Sequence, residues 1–197
     1  MIRHTYNNDL TCDVPSAFAN AVNRAKKYIN LHEPFEESVF EHILKNYPIK
    51  NFIDIGCAWG YYSLLVKKNN PACTVHAFDH NKKMCDLCYS NQKLNKLPSF
   101  NVFCKDIPKD LPLSNLIKNF KQIDLLKLDI QGSETRCLKS AGSELIKIKN
   151  IIIGTHGKHH KKCHNLLTAM NFQILISEPS SRIPIQPDGL IWASPNE

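Results

Sequence analysis

The chain has 197 residues, a formal net charge of +7, 43% hydrophobic and 22% charged side chains, and 8 cysteines. That length suits one domain with a single sizeable core, and the lack of any run of roughly eighteen apolar residues excludes a membrane-spanning helix. The cysteines are scattered through helix and strand patterns, and Met1-Ile2-Arg3-His4 continues polar without the apolar stretch of a secretory signal. Buried thiols in a reducing, cytoplasmic setting are therefore expected, rather than a disulfide scaffold.

Residues 1–33 read as a polar leader with one helix from Pro15 to Ile29, since proline suits a first helical position and Phe18, Val22 and Ala25 fall at helical spacing. A second helix is predicted from Phe35 to Asn46, with Val39, Phe40, Ile43 and Leu44 inward and Pro48 as its stop. A strand follows at Asn51–Ile55, then a helix at Tyr61–Lys68, a strand at Thr74–Asp79 and an amphipathic helix at Lys82–Leu94. Ser99–Cys104 is a third strand, with Asp106 just past its end. Pro108 to Pro112 marks a loop before a short helix at Asn115–Phe120. The fourth strand is Ile123–Asp129, followed by a helix at Glu134–Ala141 that Gly142 terminates. Asn150–Thr155 is the fifth strand, with a helix from His160 to Met170 behind it. The end reads differently: Phe172–Ser177 and Gly189–Ala193 are two strands joined by a loop rich in proline and serine, as in a hairpin. Such alternation predicts an α/β, Rossmann-like domain over residues 34–197. Its sheet would be mostly parallel and seven-stranded, with an antiparallel last strand and helices on both faces.

The most informative stretch is Phe52-Ile53-Asp54-Ile55-Gly56-Cys57-Ala58-Trp59-Gly60-Tyr61-Tyr62-Ser63. It reads as a buried strand, a glycine turn and the start of a helix, and a second acid, Asp79, ends the next strand where a ribose-binding carboxylate belongs. A dinucleotide fingerprint would place glycines where Ala58 and Tyr61 stand, and no Gly-Lys-Ser/Thr of a phosphate loop follows. An acidic glycine turn without equipment for phosphate suits a ligand carrying an amine, such as the methionine end of S-adenosylmethionine.

Asp54-Ile55-Gly56-Cys57-Ala58-Trp59-Gly60-Tyr61-Tyr62-Ser63 resembles the first motif of class I S-adenosylmethionine-dependent methyltransferases of the FkbM type. Val75-His76-Ala77-Phe78-Asp79 resembles that family's second strand. Ile123-Asp124-Leu125-Leu126-Lys127-Leu128-Asp129-Ile130-Gln131-Gly132-Ser133-Glu134 resembles its most distinctive block, and Ile151 to His156 is similar to its fifth strand. The likeness spans roughly residues 50–157. Gln131 and Gly154 depart from it, each standing where the family has glutamate.

The resemblance implies a site beyond the carboxyl ends of the strands. Asp54, Gly56, Cys57, Ala58, Gly60, Tyr61, Asp79, His80, Asp106 and Asp129 would hold S-adenosylmethionine. Asp79 would take the ribose hydroxyls, and Asp106 the adenine amine. Lys127, Asp129 and His156 would serve catalysis, with His156 and Asp129 competing as the base. No metal site is expected: His160, His164 and Cys163 lack a third clear ligand type, and Cys85-Asp86-Leu87-Cys88 has no second pair. Alternation along the fourth strand puts Lys127 in a central position, where a buried ammonium needs a partner; Asp54 on the adjoining strand is the expected one.

The implied activity is methylation of a hydroxyl on a sugar or other small molecule. Two alternatives stay open, the first from the basic run Lys158-His159-His160-Lys161-Lys162 and the second from Gln131 and Gly154 in place of acidic residues. One is RNA ribose 2′-O-methylation, with Glu178 as a member of its tetrad; the other is a catalytically inactive domain that binds a nucleoside or a protein.

Overall fold

The structure is a computed structural model, described here for residues 1–183 and 185–196. Pro184, in the expected proline- and serine-rich loop, and Glu197, at the end of the expected domain, lie outside the described residues.

The N-terminal segment holds the expected helix, within residues 16–27, but adds a strand pair ahead of it that the leader reading did not foresee. An antiparallel hairpin of β1 (Ile2–Thr5) and β2 (Thr11–Val14) comes first, then a 3-10 turn (Ser16–Phe18) and α1 (Ala19–Lys27). The free edge of β2 is paired by side chains instead of by a strand. Asn95 takes the Thr11 N–H and returns a bond to the Thr11 carbonyl, and Asn91, one turn away on the same helix, does the same for Asp13. Amides at that spacing satisfy the backbone groups of an otherwise open edge. Tyr6, Leu10, Cys12 and Val14 thereby bury in one apolar cluster with Val22 and Ala25 of α1 and Phe40 and Phe52 beyond.

α2 (Pro34–Asn46) leads into the main sheet, whose strands are β3 (Asn51–Ile55), β4 (Thr74–Asp79), β5 (Asn101–Cys104), β6 (Leu125–Leu128), β7 (Ile151–Thr155), β8 (Phe172–Glu178) and β9 (Gly189–Pro195). Their order is β5-β4-β3-β6-β7-β9-β8. Pairings from β5 through β7 are parallel, and β9 lies antiparallel between β7 and β8. This is the expected Rossmann-like architecture, antiparallel last strand included.

The crossover helices are α3 (Tyr61–Asn69), α4 (Lys82–Leu94), α5 (Leu113–Ile117), α6 (Glu134–Ala141) and α7 (His159–Ala169). Phe52, Leu125 and Ile152 pack against one face of the sheet with α1, α2 and α3; Ile53, Leu126, Leu128 and Ile153 pack against the other with α5, α6 and α7. Element ends differ from expectation by a few residues. β6 begins at Leu125 because the Asp124 carboxylate turns aside to accept the Lys50 and Asn51 N–H groups, leaving Ile123 a single bridge to Ile148. α5 starts at Leu113, where Ser140 Oγ takes its free N–H and Leu113, Leu116 and Ile117 bury.

Candidate active site

β3 and β6 are neighbours whose crossovers leave in opposite directions along the sheet, so a crevice opens beyond their carboxyl ends. It forms a cleft of about 680 Å³, ample for a nucleoside with an amino-acid tail. Asp54, Gly56, Cys57, Ala58 and Tyr61 line it from the glycine turn. Asp79, His80 and Asp106 line it from the β4 and β5 ends, and Lys127 and Asp129 from β6. Of the expected site residues, Gly60 and His156 are not in its wall.

The glycine turn is fixed by close approach. Gly56 sits at φ +86°, and a Cβ there would overlap the Asp129 carbonyl oxygen, so only glycine lets the turn pass over the end of β6. Gly60, at φ +92°, has its missing Cβ facing Cys88 Sγ at 2.5 Å; its role is to seat α3 against α4. The Asp79 carboxylate is bonded directly to this turn at the cleft wall. Its Oδ2 accepts the Ala58 N–H at 3.0 Å and its Oδ1 the Asn81 N–H at 2.8 Å, while the Asn81 side chain caps α4 by accepting the Lys83 N–H. Two backbone donors therefore hold the carboxylate in place, and its remaining lone pairs are free. Phe78, Met84 and Ile107 supply an apolar wall beside it. His80 is exposed on the rim, 3.7 Å from Asp79.

Lys127 does not pair with Asp54. The two lie opposite in register, but Asp54 Oδ2 accepts from Ser63 Oγ at 2.7 Å and ties the strand to α3. The lysine stem rises past that short side chain to α2, where Nζ meets Glu36 Oε1 at 3.0 Å; it also lies 3.4 Å from Asp129 Oδ2 and 4.5 Å from the centre of the Tyr62 ring. Burial opposes the charge, yet Glu36, Asp129, Glu33 and Asp54 together outweigh it and hold the ammonium protonated. Burial and the neighbouring Glu36 push Glu33 up to about 8, against the pull of Lys127. Burial likewise lifts Asp54 to about 6.

A second charge system stands behind Asp129. Glu134, fully buried, accepts the Gly132 N–H at 2.8 Å through Oε1, and His156 Nδ1 lies 2.7 Å from the same oxygen. His156 Nε2 is 3.1 Å from Asp188 Oδ1, off the line of a hydrogen bond, and 3.7 Å from Asp129 Oδ1. Burial would lower the imidazole, but contacts with Asp188 and Glu134 and the Asp129 charge overcome it and raise its pKa to about 10. The ring is an imidazolium at neutral pH. Gln131 and Gly132, both at positive φ, form the turn that brings Glu134 beneath it. A Cβ at Gly154 would come within 3.1 Å of the Asp129 carboxyl carbon, so glycine at this point of β7 leaves that carboxylate its room.

Sequence reasoning missed Glu33, Glu36, Tyr62 and Asp188. The acids at the start of α2 look like ordinary helix-dipole partners, and Asp188 sits in a loop with no pattern of its own. Glu178 lies on β8, ion-paired with Arg182 at 4.0 Å and outside the cleft wall. Among the described residues no cluster with metal-binding geometry occurs, and no helix is long and apolar enough to cross a membrane.

The strand order and the site at its reversal define a class I methyltransferase fold. The ribosomal protein L11 methylase of Lactobacillus delbrueckii subsp. bulgaricus is 16% identical, with a TM-score of 0.61 over 81% of this chain and 77% of that one. Magnesium protoporphyrin IX methyltransferase from Synechocystis PCC 6803 with bound SAH is 15% identical, with a TM-score of 0.62 over 93% and 89%. A SAM-dependent O-methyltransferase from Thermotoga maritima is 15% identical, with a TM-score of 0.60 over 82% of this chain and 65% of that one. Identities this low speak to the fold alone. The model of the methyltransferase FkbM domain matches residues 11–174, and the chain belongs to that family. No curated protein matches the sequence.

Proposed function

We propose that the chain transfers a methyl group from S-adenosylmethionine to a hydroxyl oxygen of a sugar or other small molecule. The observation that carries this reading is the Asp79 carboxylate, fixed in the cleft wall by two backbone donors, one of them from the glycine turn. The residues present fit the nucleoside. Asp79 would accept both ribose hydroxyls, and Phe78, Met84 and Ile107 would flank the base, with Asp106 at its polar edge. Asp54 acts through the turn it anchors by way of Ser63. When bound, the sulfonium supplies an activated methyl group for in-line displacement.

The chain's own residues then align the acceptor and manage its proton. Asp129 lines the cleft beside Lys127 and is the group available to orient the acceptor hydroxyl and take its proton. His156 is already proton-loaded and stands behind Asp129 and Asp188, so it acts as a positioning cation for both side chains. All eight cysteines are free thiols, seven of them buried, which fits the cytoplasmic location that we infer.

Calorimetry with S-adenosylhomocysteine tests the cofactor, and release of that product with a panel of sugars and small alcohols, set against RNA, tests the acceptor. Micromolar binding of the nucleoside and turnover with a hydroxyl compound are expected. No binding would leave the fold a scaffold, and turnover with RNA alone would move the acceptor to a ribose 2′-hydroxyl.

A further inference from the structure

The nucleoside end of the cleft is matched by an opposite end that the reaction scheme leaves unused. α1 crosses it, and Arg24, Phe18, His32 and Trp59 form its wall. The glycine turn divides the two ends: Ala58 gives its N–H to Asp79, while the next residue, Trp59, packs edge-on against Phe18 at 5.4 Å and His32 at 5.5 Å between ring centres.

Arg24 stands out in this corner. Its Nε is shielded from water without a hydrogen-bond partner, and among the described residues its guanidinium makes no ion pair. His32 Nδ1 is likewise shielded and unpartnered. A shielded Nε–H left in this state is costly, because it has lost water and gained nothing in exchange. Acids are plentiful nearby, yet each is committed elsewhere: Glu36 and Asp129 to Lys127, Asp54 to Ser63, Asp188 to His156 and Glu33 to the Tyr62 hydroxyl. The arginine's field is felt all the same. Burial first, then the charges of Lys127 and Arg24, depress His32 to about 3, so that ring is neutral and has an N–H to give.

We propose that Arg24, with His32 beside it and the Trp59 and Phe18 rings as walls, is a binding site for a carboxylate. A guanidinium offers a planar fork of donors matched to two carboxylate oxygens, and the buried Trp59 ring beside it limits the water that can compete. This rests on the reading of the cleft as an adenosyl-methionine site. The carboxylate has two sources of the same chemistry, the amino-acid end of the cofactor or an acidic group on the acceptor.

Calorimetry on the full chain separates them, using S-adenosylhomocysteine and 5′-methylthioadenosine, the same nucleoside without the amino-acid end. Arg24→Gln is expected to weaken S-adenosylhomocysteine by about tenfold or more while leaving methylthioadenosine unchanged, and Arg24→Lys to restore part of the loss. That pattern assigns the cofactor's carboxylate, and the unchanged methylthioadenosine shows that the variant is folded. If Arg24→Gln leaves both nucleosides unchanged, titration with acetate, malonate and glucuronate decides. Quenching of Trp59 fluorescence in the parent protein but not in the variant assigns the acceptor's acid. Equal weakening of both nucleosides, or no response in either arm, would overturn the proposal. A parent protein that binds neither nucleoside would instead overturn the reading of the cleft, and the carboxylate titration would then judge Arg24 alone.

Discussion

The two halves of the cleft are built on different principles. At the nucleoside end, Asp79 is held by backbone N–H groups from its own strand end and the glycine turn, and the fold dictates its position. At the acceptor end, Lys127, Asp129 and His156 are held by side chains from α2, α6 and the loop before β9: Glu36, Glu134 and Asp188. One half is fixed by hydrogen bonds to the backbone, the other by buried charges that balance one another. The first should tolerate substitution in stability while losing affinity. The second should fail as a structure when a single charge goes.

Lys127→Met is the sharpest way to break that comparison. Lys127 is 2% exposed and Glu36 1%. Removing the ammonium leaves Glu36 buried and unpaired, and a loss of about 3–5 kcal/mol is expected in urea unfolding at pH 7. Pairing the change with Glu36→Leu should recover much of it, because the uncompensated charge goes too. A single variant as stable as the parent would show that the acceptor half is not held together by charge.

Asp79→Asn tests the other half. The amide keeps an acceptor for one of the two backbone donors, so the cost in stability should be about 1 kcal/mol. Affinity for S-adenosylhomocysteine should fall about 10- to 100-fold in calorimetry, since the amide cannot accept from both ribose hydroxyls. Unfolding of this variant at room temperature would erase the distinction between the halves.

The contrast also decides what could be read in advance. Strand order, the crevice, the glycine turn and Asp79 follow from periodicity and local spacing, because each depends on residues close in sequence. The Lys127 partner does not. Strand adjacency correctly put Asp54 beside it, but stem length carried the ammonium to a helix that sequence pattern cannot position over the sheet. The N-terminal hairpin was hidden for a similar reason: its short strands have no strand on their outer edge, and the groups that pair it, Asn91 and Asn95, lie about eighty residues away in sequence.

A gentler probe of the charged half is pH. The folded pKa of His156, about 10, lies above its unfolded value of 6.5. The stabilisation it gives is therefore complete below about pH 6.5 and is lost as the pH rises through 10. The Glu134 partner is depressed below its usual 4.5, since its bonds to His156 and Gly132 overcome burial, so its share is present in neutral solution and lost only in acid. Glu33 also titrates near 8, and the raw pH profile mixes the two groups. The difference between parent and His156→Gln isolates the histidine, because Glu33 is common to both. That difference should be about 1–2 kcal/mol at pH 6.5, discounted for a ring that is 19% exposed, and should shrink toward zero by pH 10.5. A difference that is flat across this range would mean the three carboxylates do not hold the ring charged, and His156 would return as the candidate base.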